Sequence, residues 1–97
     1  MLITNIHVIY NSNYNGCSIL TKVGDDLVDL QEVEGTVIVG LANTCIEKIV
    51  NYAYDQCDQE DGQFLGDIDS VESFSKQAVQ ICFGDVDFSF EDDGYST

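Results

Sequence analysis

The stretch TVIVGLANTCIEKIVNYAYDQC, residues 36–57, decides the fold, because the period of its apolar residues changes within it. TVIV, residues 36–39, consists only of β-branched residues, which favours a short buried strand. After it, apolar residues recur at helical spacing, and Thr44 with Glu47 forms a capping-box pair. The stretch therefore predicts a strand at 36–39 followed by a helix at about 44–57. The apolar face of that helix comprises Ile46, Ile49, Val50, Ala53 and Cys57.

Upstream of this stretch the pattern is typical of strands. LITNIHVIYN and CSILTKV are rich in Ile and Val, and a turn cluster containing Asn15 and Gly16 separates them. Because these two residues tolerate positive φ, residues 2–10 and 17–23 predict a hairpin. GDD, residues 24–26, then interrupts the strand pattern. LVDLQEVEG, residues 27–35, fits a third strand or a short helix, and we favour the strand because TVIV follows.

Downstream, the chain predicts a second helix and a last strand. Asp69 with Glu72 is a candidate N-cap, and Gly84 is the expected stop. DVDFSFE, residues 85–91, alternates strictly between polar and apolar residues, which indicates a half-buried strand. A frayed tail is expected at 91–97. The inward-facing residues are Val71, Phe74, Ala78, Ile81 and Cys82 in the helix and Val86, Phe88 and Phe90 in the strand.

The element order indicates one small α+β domain over residues 1–97. We expect an antiparallel sheet of about four to five strands, with both helices packed on one face. There is no apolar run of about 18 residues, so no membrane span is predicted. The N-terminal stretch has neither the basic nor the apolar region of a signal peptide.

Charge is the strongest feature of the composition. Eighteen Asp and Glu oppose three Lys and no Arg, which gives a net charge of -15. Direct binding to nucleic acid or to an anionic membrane is therefore disfavoured, since both depend on Lys and Arg. A charge of about 2 to 8 suffices to keep a small domain in solution. We therefore expect the excess to serve a basic protein partner; the alternative is that the acidity merely keeps the protein in solution.

The acids fall into three clusters, at 25–34, 55–69 and 85–93. Fifteen charges correspond to roughly 25 Å of duplex DNA, at one charge per about 1.7 Å. If the clusters converge in space, they form a rigid anionic stripe. The candidate partner-binding residues are Asp25, Asp26, Asp29, Glu32, Asp55, Asp58, Glu60, Asp61, Asp67, Asp69, Asp85, Asp87 and Glu91.

The acidic residues do not match the calcium-binding loop of an EF-hand. An EF-hand loop fails with Gly62, Gly66 or Gly94 at its glycine position, because the required oxygen ligands are missing in each register. We expect neither a metal nor another cofactor. An irregular calcium or magnesium site remains an alternative, with Asp58, Glu60, Asp61 and Asp67 as its ligands.

Catalysis is not expected either. Among 18 acids no carboxylate pair is singled out, and no glycine-rich phosphate loop is present. Cys17 could meet His7 across the hairpin, but no motif supports this pair. The other cysteines are Cys45, Cys57 and Cys82, and no two form a C-x-x-C. We predict that all four are reduced, structural thiols.

A small, proline-free and very acidic α+β domain resembles the DNA-mimic inhibitors that phages make against host defence, among them anti-CRISPR and anti-restriction proteins. The resemblance covers the whole chain in composition and size, and the acid clusters carry it, since these families share no sequence motif. It implies a protein that occupies the basic DNA channel of a nuclease complex in the cytoplasm of a bacterial host. A CRISPR effector is the first expectation and a restriction enzyme the second. The competing hypothesis is an acidic adaptor that binds a basic protein surface without displacing DNA.

Overall fold

The computed structural model describes residues 2–12, 15–55, 57–58, 63–64 and 68–93. It confirms an α+β fold, with a four-stranded sheet, two helices and a second sheet of two strands. The elements in chain order are β1 (Asn5–Asn11), β2 (Gly16–Val23), β3 (Asp26–Asp29), α1 (Thr36–Tyr54), β4 (Cys57–Asp58), β5 (Gln63–Phe64), α2 (Ile68–Phe83) and β6 (Asp87–Asp92).

The main sheet has the order β3-β2-β1-β6. β1 and β2 form the predicted antiparallel hairpin, and β3 continues it, with Thr21 opposite Val28. β6, however, lies parallel to β1, with Ile6 beside Phe88. The prediction of an antiparallel sheet is therefore wrong for this pair. Parallel strands need a long crossover, and the chain between β3 and β6, which contains both helices, provides it.

The first helix begins earlier than its sequence suggests. Residues 36–39 form its first turn, so the strand predicted there is wrong. Gly35 precedes the helix with a φ of 116°, which glycine adopts without strain. Thr44 lies in mid-helix, so the predicted capping box does not form. The helix ends at Tyr54, three residues before the expected end at Cys57.

Packing explains the early start of α1. Its fully buried residues are three or four positions apart, and the same spacing continues back to the half-buried Ile38. The apolar stripe of a helix therefore runs through the whole segment, and burial of that stripe outweighs the modest strand preference of β-branched residues. The fully buried residues of α1 are Ala42, Cys45, Ile49 and Ala53.

The second helix follows its predicted stripe with two corrections. α2 starts at Ile68, so Asp69 lies inside its first turn and is not the N-cap. Ile81 is 74% exposed, because the stripe passes through the neighbouring Val79 and Cys82 instead. Gly84 ends the helix as predicted: its φ is 84°, and its amide donates to the carbonyl of Gln80 at 3.0 Å.

β6 shows the predicted alternation. Phe88 and Phe90 are half-buried, whereas Asp87, Ser89 and Glu91 are exposed. The strand continues through residue 92, and the next residue still donates its amide to Tyr10 at 2.8 Å. The predicted tail at 91–97 therefore begins too early. Residues 94–97 lie outside the described part of the chain.

The core lies between one face of the sheet and the two helices. Ile6, Val8 and Tyr10 of β1 are at most 1% exposed and form its centre. The Tyr10 hydroxyl donates to Asn15 Oδ1 at 2.7 Å, and Asn15 Nδ2 donates to the carbonyl of Val50 at 3.1 Å. The turn between β1 and β2 is thereby fixed to α1. Neither described helix has the length and apolar character needed to cross a membrane.

Candidate partner-binding surface

The sheet has one covered and one open face. The side chains of Ile6, Val8 and Tyr10 point towards the helices, so residues of the other parity point away from them. Pairing partners share a face, which extends this assignment to all four strands. None of these outward-facing residues is buried. On the open face lie Asn5, His7, Ile9, Asn11, Ser18, Leu20, Lys22, Leu27, Asp29, Asp87, Ser89 and Glu91.

Acidic residues are confined to the two edge strands of this sheet. β1 and β2, in the centre, contain none, whereas β3 and β6 carry all five. Three strand spacings of about 4.8 Å separate β3 from β6, so the acidic edges are about 14 Å apart. Between them the open face is neutral apart from Lys22, since His7 is formally uncharged. The acids of the edge strands are Asp26, Asp29, Asp87, Glu91 and Asp92.

One end of the sheet gathers acids from both edges. Register places the end of β2 beside the start of β1, and Asp87 beside Asn5. The turn at Asp25 and the start of β3 at Asp26 therefore lie at the same end as Asp85 and Asp87. All four acids are exposed. The structure thus places acids of the clusters at 25–34 and 85–93 at opposite edges of one sheet, whereas Glu32 and Glu34 lie between β3 and α1.

Two candidates in the first cluster differ in their local role. Asp29 is half-buried, and its Oδ1 accepts a hydrogen bond from the amide of Gln31 at 2.9 Å. This contact closes the turn after β3, so Asp29 contributes to local structure as well as to charge. Glu32 is exposed in the segment between β3 and α1. Glu32 is therefore the more accessible of the two carboxylates.

The middle cluster is described only at its two ends. Asp55 is exposed at the C-terminal cap of α1, and Asp69 is exposed in the first turn of α2. Asp69 there lies near the positive end of the helix dipole, which favours an acidic side chain. For Asp58 only its place in β4 is described. Glu60, Asp61 and Asp67, and with them the alternative calcium site, lie outside the described residues.

A hydrogen-bonded chain of three side chains joins β1 to β6 on the open face. His7 Nδ1 lies 2.6 Å from Ser89 Oγ, and His7 Nε2 lies 3.0 Å from Glu91 Oε1. The parallel register creates this chain by placing His7 beside Ser89 and one pleat from Glu91. The contact holds the edge strand against the centre of the sheet. Sequence reasoning missed it because residues more than 80 positions apart meet only once β6 is known to lie next to β1.

Three thiols, Cys17, Cys45 and Cys82, face the core, whereas the side chain of Cys57 lies outside the described part of the chain. Cys17 lies opposite Tyr10 and therefore on the helix side of the sheet, whereas His7 is on the open face, so the Cys–His pair considered from sequence does not form. Burial raises the pKa of Cys17 to about 12. Burial, followed by the nearby Cys82 and Cys17, likewise raises the pKa of Cys45 to about 12. All three are free thiols. A reactive cysteine has a lowered pKa, so Cys17 and Cys45 have a structural character.

The helices border an open groove with a volume of about 510 Å³. Tyr52 of α1 and Phe74 of α2 stack within it, with ring centroids 4.3 Å apart. Of the described residues that line it, Asp69 is the one with an acidic or basic side chain. Among the described residues, no three His, Cys, Asp or Glu side chains are grouped so that they could hold a metal ion.

Comparisons with protein-family models, with curated proteins and with solved structures found no match to this chain. The geometry and charge of its surface therefore carry the functional argument.

Proposed function

We propose that this protein is an acidic inhibitor that competes with DNA for the basic groove of a DNA-binding protein. Its partner would be a defence nuclease complex in the cytoplasm of a bacterial host, a CRISPR effector first and a restriction enzyme second. The inhibitor itself binds no nucleic acid and no membrane, because its net charge of -15 repels both.

The observation that carries this proposal is the confinement of acids to the edge strands. On the open face, Asp29 of β3 and the pair Asp87 and Glu91 of β6 lie on strands about 14 Å apart, and a nearly neutral strip of two strands separates them. In duplex DNA two phosphate backbones flank the major groove, which is about 12 Å wide. A basic groove that grips both backbones would therefore meet negative charge on both edges of the open face, at a similar separation.

The energetics of such a contact favour many weak interactions. Asp87 and Glu91 lie on a strand that is already ordered, so little conformational entropy is lost when they bind. Each exposed ion pair contributes only about 0–1 kcal/mol. Complementary fields instead speed the encounter and exclude wrong partners, and both effects weaken as salt increases.

Charge reversal on one face tests the proposal. We would compare Asp87→Lys/Glu91→Lys, on the open face, with Glu47→Lys/Glu72→Lys, on exposed positions of the two helices. Both variants change the net charge by the same amount, and circular dichroism would establish that both fold. The measurement is the displacement of labelled duplex DNA from a CRISPR effector or a restriction enzyme, over a range of NaCl concentrations.

We expect the open-face variant to lose inhibition by tenfold or more, because like charge against a basic groove costs several kcal/mol. The helix variant should lose much less, and salt should weaken the wild-type complex. Equal loss in both variants would mean that total charge matters and not the face. If the protein binds its partner while the DNA stays in place, the acidic-adaptor hypothesis replaces this proposal.

A further inference from the structure

The outer edge of β6 has backbone groups that no strand of the sheet uses. Within the described residues, β6 is an edge strand that pairs with β1 alone. The amide of Asp87 donates to the carbonyl of Thr4, just before β1, at 3.0 Å, and the amide of Asp93 donates to the carbonyl of Tyr10 at 2.8 Å. Because backbone groups alternate in direction along a strand, the amides and carbonyls of Phe88 and Phe90 point away from β1. They form a short template for another strand.

We propose that β6 binds an extended segment of a partner protein, which adds a fifth strand to the sheet beside Phe88 and Phe90. The segment alternates Lys or Arg with apolar residues. This inference rests on the proposed function, because the segment belongs to the basic partner proposed above. It adds that backbone pairing holds this part of the partner.

The two faces of β6 specify the alternation in the partner. Asp87, Ser89 and Glu91 are exposed on the open face, so basic side chains of an added strand would lie beside carboxylates. Phe88 and Phe90 are half-buried on the helix side, so apolar side chains of that strand would extend the core. Backbone hydrogen bonds would provide affinity, and this alternation would provide specificity.

A second copy of the chain is a poor occupant of the same edge. Pairing β6 with another β6 would set its carboxylates beside identical ones, in two molecules that each carry a net charge of -15. Like charges opposite one another destabilise a strand pair. Acidic residues on an edge strand thus prevent self-association and at the same time admit a basic strand.

The test must separate backbone pairing from simple charge attraction, so it uses peptides of identical charge. A synthetic peptide alternating lysine with valine is compared with two isomers, one N-methylated at every lysine and the other at every valine. In an extended strand the lysine amides all point to one edge and the valine amides to the other. Each isomer therefore blocks one edge only.

We expect the parent peptide and one isomer to bind alike, while the other isomer binds tenfold or more weakly, because it loses at least two hydrogen bonds. Amide exchange at Phe88 and Phe90, followed by nuclear magnetic resonance, should slow when the parent peptide binds. Equal affinity of the two isomers, whether retained or lost, would overturn the proposal. So would a self-associated dimer in which these same amides are protected without peptide.

This experiment is independent of inhibition. The N-methylated isomers change only the peptide, whereas the charge-reversal variants are measured against DNA displacement. If backbone pairing fails while the open-face variant still loses inhibition, the proposed function stands without the added strand. If the isomers differ but DNA is never displaced, the edge is a peptide-binding site and the competition with DNA is wrong.

Discussion

Burial has changed the chemistry of single residues most clearly at the thiols. Cys17 and Cys45 face the core between the sheet and the helices, and the pKa of each is raised to about 12. The nearby Cys82 adds to the effect of burial on the pKa of Cys45. At neutral pH the native Cys17 and Cys45 are therefore protonated and behave as small apolar groups.

These thiols predict a loss of stability in alkali. Below the unfolded pKa of 9.0 both states keep the proton and the contribution is complete. Between 9.0 and about 12 the unfolded chain releases the proton while the native protein retains it, so stability falls as pH rises. The free energy of unfolding should drop by up to about 1.4 kcal/mol per pH unit for each thiol.

The check is urea denaturation of the wild type and of Cys17→Ala/Cys45→Ala from neutral to alkaline pH. The variant should start less stable, because it has lost buried volume. Its decline above pH 9 should nevertheless be shallower, because it lacks the two buried thiols while every other ionisable residue is the same in both proteins. Identical slopes in the two proteins would contradict the raised pKa of these thiols.

At the scale of elements, the start of α1 gives a matched pair of glycine tests. Gly40 lies inside the helix, and a Cβ added there would meet no atom within 4 Å. Gly40→Ala should therefore stabilise the protein by about 0.5–1 kcal/mol, because glycine is a poor helix residue. Urea denaturation would measure the gain.

Gly35→Ala is the control, since it stands five residues earlier and just outside the helix. Its φ of 116° is a conformation that alanine rarely adopts, although the space around it is equally open. We expect this variant to be destabilised by about 1–3 kcal/mol. If Gly40→Ala also destabilised the protein, residues 36–39 would not belong to a helix, and the strand predicted from sequence would have to be reconsidered.

The sequence predicted those elements whose pattern is local. The hairpin of β1 and β2, the stop at Gly84 and the alternation of β6 all follow from neighbouring residues, and the structure confirms them. Residues 36–39 were assigned wrongly because β-branched residues and Gly40 conceal a helical stripe that only tertiary packing reveals. The direction of β6 depends on which edge of the sheet receives it, and no local pattern encodes this choice.

The candidate surface was predictable in its residues but not in its arrangement. Clusters at 25–34 and 85–93 are visible in the sequence, whereas their separation onto opposite edges depends on strand order. The contacts of His7 with Ser89 and Glu91 depend on the parallel register in the same way. Local sequence patterns do not specify which strands pair over long distances in the chain.

For the whole molecule, the electrostatic field of its excess negative charge affects both stability and binding. Acids on opposite edges of the sheet repel one another, and a net charge of -15 adds further self-repulsion. The edges are about 14 Å apart, whereas the screening length falls from about 30 Å at 0.01 M salt to about 3 Å at 1 M. Salt over this range should therefore remove most of the repulsion.

We thus expect NaCl to have opposite effects on fold and function. The thermal midpoint should rise with salt, by about 4–8 °C for each kcal/mol of repulsion removed, while the affinity for a basic partner falls. Asp25→Asn/Asp26→Asn/Asp85→Asn/Asp87→Asn, which neutralises the acidic end of the sheet, should show a higher midpoint at low salt and a smaller rise. Calorimetric scans of both proteins in matched NaCl series would measure this. Parallel salt curves for the two proteins would show that general salt effects on apolar burial, and not the acidic edges, control the midpoint.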